Sequence, residues 1–490
     1  MIYKSTRGSE LKISSSKAII RGLADDKGLY VPEEIPGLPF DVRDMMGKSY
    51  KEIAFPILKS FFDDFTDEEL MYCIDGAYND KFDCEEIVPV VKTNNCYFLE
   101  LYHGPTAAFK DMALSILPYL LTVSIKKENE KKKVCILTAT SGDTGKAALE
   151  GFADVEGTEI LVFYPNKGVS QVQERQMVTQ EGENTHVFAI NGNFDDAQSG
   201  VKEIFNDEEF AKELSDKGVR LSSANSINIG RLVPQVVYYV YSYIKLLERG
   251  EIKYGEAINI VVPAGNFGNI LAGYYANKMG IPVNRFICAS NENKVLTDFL
   301  NTGEYSIERD FYLTTSPSMD ILISSNLERL LYHLSQSDGG EIKKYMECLS
   351  TEGKYRVSQK VMENLNEFFG GYADMDKVTN SIKDLFDKEN YLMDTHTAVA
   401  YSVYMDYINA TKDATKTIIA STASAYKFAE NVADALKIEK GRDGFEAISK
   451  VNEKTKVKIP EGLKDLDKKE IKHNKVIDTK DMKDSIRYSV

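Results

Sequence analysis

The sequence predicts an α/β protein whose parallel sheets carry helices on both faces. Short apolar runs recur along the chain, each run ends in a polar or glycine-rich turn, and each turn leads into a helical pattern. A strand that is apolar throughout is covered on both sides, and helices between successive strands make them parallel. Ligands on such sheets sit at the carboxyl ends of strands, where loops feed helix N-termini.

The elements follow in order. Residues 1–95 form a small N-terminal domain that mixes short strands, turns at Pro32, Pro36 and Pro39, and helical patterns such as Tyr50 to Phe61. The alternating texture begins at 96 and continues to 435. Val134-Cys-Ile-Leu-Thr-Ala-Thr140 reads as a buried strand, Ser141-Gly-Asp-Thr-Gly145 as a turn, and Lys146 to Phe152 as the start of a helix. Glu159-Ile-Leu-Val-Phe-Tyr164 is a second strand, ended by Pro165. Ala257-Ile-Asn-Ile-Val-Val262 is a third, followed by a glycine-rich turn and a helix from Ile270 to Lys278 that Gly280 can cap. Thr417-Ile-Ile-Ala420 is a fourth, followed by a helix from Lys427 to Leu436. Residues 436–490 form a C-terminal appendage, rich in Lys, Glu and Asp, which reads as solvated.

Composition narrows the class. The 490 residues, 43% of them hydrophobic, can build more than one core; at roughly 100–200 residues per domain, about three domains fit. No window approaches the ~18 consecutive apolar residues of a membrane span. The N-terminus has no apolar segment after its basic residues, so secretion is not indicated. Six scattered cysteines without a Cys-x-x-Cys pair point away from structural zinc and disulfides, and toward a reducing, cytoplasmic setting. No metal is expected. The net charge of −15, from 75 acidic and 60 basic residues, disfavours nucleic acid as a partner.

Three loops carry the chemistry. Pro263-Ala-Gly265-Asn-Phe-Gly268-Asn269 joins a strand to a helix, so backbone N–H groups converge at the positive end of the helix dipole. Such a loop suits a phosphate dianion, although a tight turn without a ligand has the same form. Thr138-Ala-Thr-Ser141-Gly142-Asp143-Thr144-Gly145-Lys146 superficially follows a nucleotide P-loop, but Thr140 stands where Gly is needed and Ala147 where Ser or Thr is needed. It reads instead as a hydroxyl-rich turn suited to a small carboxylate, or as an ordinary helix cap. Lys110 follows two alanines and Phe109 at the start of an apolar pattern. Partly apolar surroundings lower a lysine pKa, which favours Schiff-base formation and proton transfer. Alone it would be a surface lysine.

Together the loops resemble the fold-type II pyridoxal-phosphate enzymes, and within them the threonine synthase family. The resemblance runs through Tyr3-Lys-Ser-Thr-Arg-Gly8, Gly22 to Pro32, His103-Gly-Pro-Thr-Ala-Ala-Phe-Lys-Asp111, Thr140 to Gly145, Ser223-Ala-Asn-Ser-Ile-Asn228, Pro263 to Asn269 and Ser421-Thr-Ala-Ser-Ala-Tyr-Lys-Phe428. It implies two parallel-sheet α/β domains plus the small N-terminal domain, with pyridoxal 5'-phosphate as cofactor. It implies that Lys110 carries the cofactor and moves protons at the α- and β-carbons. Gly265, Asn266, Phe267, Gly268 and Asn269 would cradle the cofactor phosphate, Thr422 would face the pyridine nitrogen, and Asp143 would lie near the ring hydroxyl. Thr140, Ser141, Gly142 and Thr144 would grip the substrate carboxylate. Asn225, Ser226, Asn228 and Arg231 would lie near the substrate phosphate, with Arg231 as its bidentate anchor; a structural ion pair is the alternative for Arg231. Ser170, Gln173 and Gln176 are weaker pocket candidates, and His396 reads as structural. The chain departs from the family at Ala425 and Thr395, where proline is frequent; both changes loosen a turn without removing a reactive group.

The implied reaction converts O-phospho-L-homoserine and water into L-threonine and phosphate in a monomer or homodimer, with residues 134–190 as a mobile small subdomain closing over the site. A phospho-lyase or dehydratase that releases a 2-oxo acid is the nearest alternative. A non-catalytic protein that binds small anions is an alternative from another class.

Overall fold

Strands form where the sequence concentrates apolar, β-branched runs. In a computed structural model, which describes residues 1–140 and 142–490, the predicted runs become Lys133–Ala139, Thr158–Pro165, Ile258–Pro263 and Thr417–Ser421. They divide between two sheets. The larger has six strands in the order Phe368–Tyr372, Val283–Ser290, Ile258–Pro263, Thr417–Ser421, Tyr97–Glu100, Val90–Lys92. All its pairings are parallel except the last. The smaller is parallel throughout, in the order Lys475–Ile477, Thr185–Ile190, Thr158–Pro165, Lys133–Ala139, Val219–Ser222.

Strand order places the chemistry. Ile258–Pro263, Thr417–Ser421 and Tyr97–Glu100 are adjacent, so the loops leaving their carboxyl ends lie side by side. These are the Gly265 loop, the Thr422 turn and the His103 to Lys110 loop. The Thr140 turn leaves the small sheet at the end of Lys133–Ala139. The helix Gly268–Met279 stops at Gly280, whose φ of 126° lets its N–H turn back to the Ala276 and Asn277 carbonyls. Tyr50–Phe61 is a helix begun by a Ser49–Glu52 capping box. No helix among the described residues is long and apolar enough to cross a membrane.

The C-terminal segment differs from its solvated reading. Lys475–Ile477 extends the small sheet beside Thr185–Ile190, and the helix Met482–Ser489 buries Met482 and Ile486 against the core that holds Phe188, Ala197 and Leu214. Gly444–Thr455 packs on Ala429–Ala435. Apolar residues spaced one turn apart, such as Met482 and Ile486, are enough to dock a helix whose remaining face is charged, and averaged composition hides them. Lys427 begins no α-helix either: Ala425–Phe428 is a 3-10 turn, and the α-helix starts at Ala429.

His103 ties the end of Tyr97–Glu100 to the segment before it. Its Nδ1 lies 2.7 Å from Asp83 and its Nε2 2.9 Å from Glu100. Burial works against the charge on this ring, but the two carboxylates outweigh it and raise the pKa to about 9.

Two predictions follow from this packing. Ile486 is fully buried, so Ile486→Ala should cost about 2–5 kcal/mol, read from denaturant midpoints and from faster amide exchange in Lys475–Ile477; unchanged values would mean that the tail adds nothing to the core. A folded pKa above the free value means that the stability from His103 is complete below about pH 6.5 and is lost as pH rises through about 9. His103→Gln should therefore destabilise by on the order of 3 kcal/mol near pH 6, and the difference should shrink by about pH 10. A difference that holds across that range would refute the charged His103.

Candidate active site

The loop that presents Lys110 is built from Thr106 and Asp111. Asp111 accepts hydrogen bonds from the Thr106 N–H at 2.8 Å and its hydroxyl at 2.6 Å. Burial raises its pKa to about 6 despite these bonds and the nearby Lys427. Lys110 then sits at the first turn of the short helix Asp111–Leu114. The Phe109 N–H donates to the Thr422 carbonyl at 2.8 Å, and the Ser424 N–H to the Ala107 carbonyl at 3.1 Å. These two bonds lock the Lys110 loop against the Thr422 turn.

Asp143 reaches this place from the small sheet. Its Oδ2 lies 3.6 Å from Lys110 Nζ, and its Oδ1 lies 2.7 Å from Lys427 Nζ. Gln173 Nε2 donates to Oδ1 at 2.9 Å, and Ser318 Oγ to Oδ2 at 3.4 Å. Burial raises the pKa of this carboxyl, but Lys427 and Lys110, with the bonds from Lys427 and Gln173, carry it well below the usual range. The Lys110 ammonium is held below the ordinary lysine range. Burial lowers its pKa, Lys427 and Arg231 lower it further, and Asp143 only partly opposes them.

The Thr140 turn holds its own backbone. Thr140 Oγ1 accepts from the Gly142 and Gly145 N–H groups at 3.0 and 2.9 Å, which supplies the cap of Asp143–Phe152. Gly142 has φ of 139°, and a Cβ there would stand 2.5 Å from the Gln173 side chain, so only glycine fits. Thr144 is partly exposed, and Ser141 lies outside the described residues.

The Gly265 loop meets the same site through Ser318. A Cβ on Gly265 would stand 2.8 Å from the Ser318 carbonyl oxygen. Phe267 adopts φ 64°, ψ −4°, the left-handed turn that starts the twelve-residue helix Gly268–Met279. Asn269 takes a hydrogen bond from Tyr239, while its buried Nδ2 has no partner among the described residues. Asn266 holds the Asn326 N–H through its carbonyl at 3.1 Å.

Arg231 is buried in the first turn of Ile229–Glu248. One guanidinium nitrogen donates to the Ala224 carbonyl at 2.8 Å, and Nε has no partner among the described residues. Burial lowers its pKa to about 10. No described carboxylate pairs with it, so the ion-pair alternative finds no support. Asn228 is committed elsewhere: Oδ1 caps the helix at the Gly230 N–H, and Nδ2 donates to the Ile19 carbonyl, each at 2.9 Å. Asn225 is exposed and Ser226 partly exposed on the turn before it.

Two neighbours, Lys427 and Ser318, carried no role in the sequence, whereas Ser170, Gln173, Gln176 and His396 did. Lys427 is a lone lysine in the quoted stretch Ser421 to Phe428, and its only signal is its place between the buried Tyr426 and Phe428. Ser318 lies in an aperiodic Ser-Pro-Ser loop that gives no pattern to read. Gln173 touches Asp143, and Gln176 donates to the Thr106 carbonyl at 3.3 Å with its buried Oε1 unpartnered among the described residues. Ser170 caps the helix Gln171–Val178 that carries both. His396 is held between Asp394, 2.7 Å from Nδ1, and the Ser318 N–H, 3.2 Å from Nε2.

Known proteins resemble this chain in sequence and fold. Residues 2–78 match the family described as threonine synthase N terminus, 82–422 that of pyridoxal-phosphate dependent enzymes, and 397–486 that of threonine synthase, C-terminal. The chain is 40% identical over 447 residues to human threonine synthase-like 1, covering 88% of this chain and 59% of that protein; it thus spans about three fifths of that relative's length. It is 36% identical over 466 residues to the threonine synthase of Schizosaccharomyces pombe, covering 89% of each. The crystal structure of pyridoxal-phosphate-bound threonine synthase from Brucella melitensis superposes with a TM-score of 0.89 at 35% identity, over 100% of this chain and 99% of that one. With all three family segments present in order and the fold matched along the whole length, the chain belongs to the threonine synthase family of pyridoxal-phosphate-dependent enzymes.

Proposed function

We propose that the chain converts O-phospho-L-homoserine and water into L-threonine and phosphate, the last step of threonine biosynthesis. The observation that carries this reading is the buried Arg231, with an unpartnered Nε, close enough to Lys110 to lower its pKa. A buried guanidinium without a counter-ion calls for an anionic ligand, and its planar fork matches a phosphate.

The residues fit pyridoxal 5'-phosphate. The Gly265–Asn269 loop offers the start of a twelve-residue helix and the free Nδ2 of Asn269 to the cofactor phosphate. Thr422 would present its hydroxyl to the ring nitrogen, and Asp143 would meet the ring hydroxyl. When bound, the cofactor supplies an electron sink for charge that develops on the substrate carbons. A neutral hydroxyl from Thr422 at the ring nitrogen would make that sink weaker than a carboxylate would.

The chain's own groups do the rest. Lys110, with its lowered pKa, takes the proton from the substrate α-carbon and later serves the β-carbon. Arg231, with Asn225 and Ser226, would hold the phosphate that leaves from the γ-carbon, while Asn228 fixes the helix start that presents Arg231. The Ser141 to Thr144 turn would hold the carboxylate, with Thr140 bracing its backbone. Residues 134–190 belong to a subdomain whose sheet also takes in Val219–Ser222 and Lys475–Ile477, and its approach to the large sheet would exclude water until the β-carbon is ready for it. Six unpaired cysteines suit a reducing cytosol.

Incubation with O-phosphohomoserine and identification of the products tests the proposal. Threonine and phosphate are expected in equal amounts, and Lys110→Ala should abolish both. Arg231→Met should lower kcat/KM by about 100-fold or more, the scale of losing a charge-assisted pair of hydrogen bonds. Dominant 2-oxobutyrate would instead assign a phospho-lyase, and a protein that cannot take up pyridoxal phosphate would be a non-catalytic anion binder.

A further inference from the structure

The Asp143 carboxylate has two lysines on it, and they are not equivalent. Lys427 is fully buried, and its Nζ contacts Asp143 Oδ1 at 2.7 Å and the Thr106 carbonyl at 3.0 Å. Lys110 stands off Oδ2 at 3.6 Å and keeps 11% of its side chain exposed. A buried ammonium is costly, and a lysine without exposure persists only where its charge is matched. Here that charge takes up Oδ1 of Asp143, the oxygen other than the one Lys110 contacts.

We propose that Lys427 is a positioning residue, which claims Asp143 through Oδ1 so that Lys110 remains the uncommitted amine of the site. The inference rests on the reading of Lys110 as the cofactor-bearing lysine. The groups that face Lys110 are Asp143 from the helix Asp143–Phe152, Lys427 from Ala425–Phe428 and Arg231 from Ile229–Glu248. Asp111 lies next in the chain but is turned to Thr106, and it also feels Lys427. Without Lys427, Asp143 would be left buried with Lys110 as its nearest cation. The pair would close, and the like-charge repulsion from Lys427 would vanish. Both changes favour protonated Lys110, which has no lone pair to offer an aldehyde. In the wild type, the Lys110 lone pair attacks the aldehyde carbon, the new C=N bond replaces C=O, and the oxygen leaves as water.

The test follows capture of pyridoxal phosphate by apoprotein as a function of pH. Capture is read by absorbance, and the label is fixed with borohydride and mapped to its lysine. In the wild type the label should fall on Lys110 and not on Lys427. In Lys427→Met the pH midpoint of capture should rise by at least one unit, a tenfold or greater slowing near neutrality, and Lys427→Arg should restore the wild-type profile. The double variant Asp143→Asn with Lys427→Met, which removes the carboxylate that Lys427 holds, should bring the midpoint back toward wild type. A purely structural Lys427 would give no such rescue. A Lys427→Met profile that overlays wild type, or label on Lys427, overturns the inference and leaves the cofactor reading standing. Should Lys427→Met fail to fold, the double variant and the wild-type map decide, since a high midpoint in the first or label at Lys427 in the second refutes it. Wild type that captures nothing defeats the underlying reading itself.

Discussion

The site depends on one buried carboxylate held between two lysines. Asp143 leaves the end of a small-sheet strand, whereas Lys110 and Lys427 follow neighbouring strands of the large sheet. The Asp143 contacts are therefore also the electrostatic seam between the two halves of the catalytic region. Buried ion pairs add little net stability after desolvation, but removing one partner leaves an uncompensated charge. What the pair enforces is register. The turn of one sheet must meet the loop of the other with Gln173, Ser318 and Lys427 all in hydrogen-bonding reach. Any motion of the small sheet toward the large one acts first on these bonds.

That seam explains what the sequence reveals and what it conceals. Strands such as Thr158–Pro165 are legible because eight buried residues in a row leave no other economical arrangement. The Gly265 loop is legible because the Ser318 carbonyl approaches too closely for any side chain at Gly265, and that constraint shows as a glycine. Lys110 becomes legible only through a resemblance, since a lysine before an apolar pattern has no signature of burial. Lys427 and Ser318 are harder still, because their role is set by what lies across the seam, more than a hundred residues away in sequence. The C-terminal helix fails to show for a different reason: two apolar residues one turn apart dock it, and they are outnumbered by their charged neighbours.

Asn228 and Arg231 illustrate the limit at single-residue scale. They lie three positions apart on one segment and look equally suited to a phosphate. The fold separates them, because Asn228 spends both of its polar ends on a helix cap and on the Ile19 carbonyl. Arg231, one turn on, retains an unpartnered Nε in a buried place. A motif therefore carries two kinds of residue, one whose polar groups are spent on the scaffold and one that keeps a polar atom free, and the motif alone does not distinguish them.

The loop that carries Ser318 is the remaining constraint, and it is clamped from two sides. Asp320 accepts from Asn291 and Asn293 at 2.7 and 3.0 Å, and from the Thr314 N–H at 3.0 Å, which fixes the loop to the end of Val283–Ser290. On the other side, the Thr395 hydroxyl donates to the Thr315 carbonyl at 2.7 Å, and His396 takes the Ser318 N–H. Because Nε2 accepts that bond, the ring proton belongs on Nδ1, facing Asp394. Asp394 in turn caps the helix Thr395–Thr411. His396 therefore has both nitrogens committed and no free lone pair for proton transfer. Its work is to hold Ser318 beneath Gly265 and beside Asp143, so the chain from the Asp394 cap to the Asp143 carboxylate acts as scaffold.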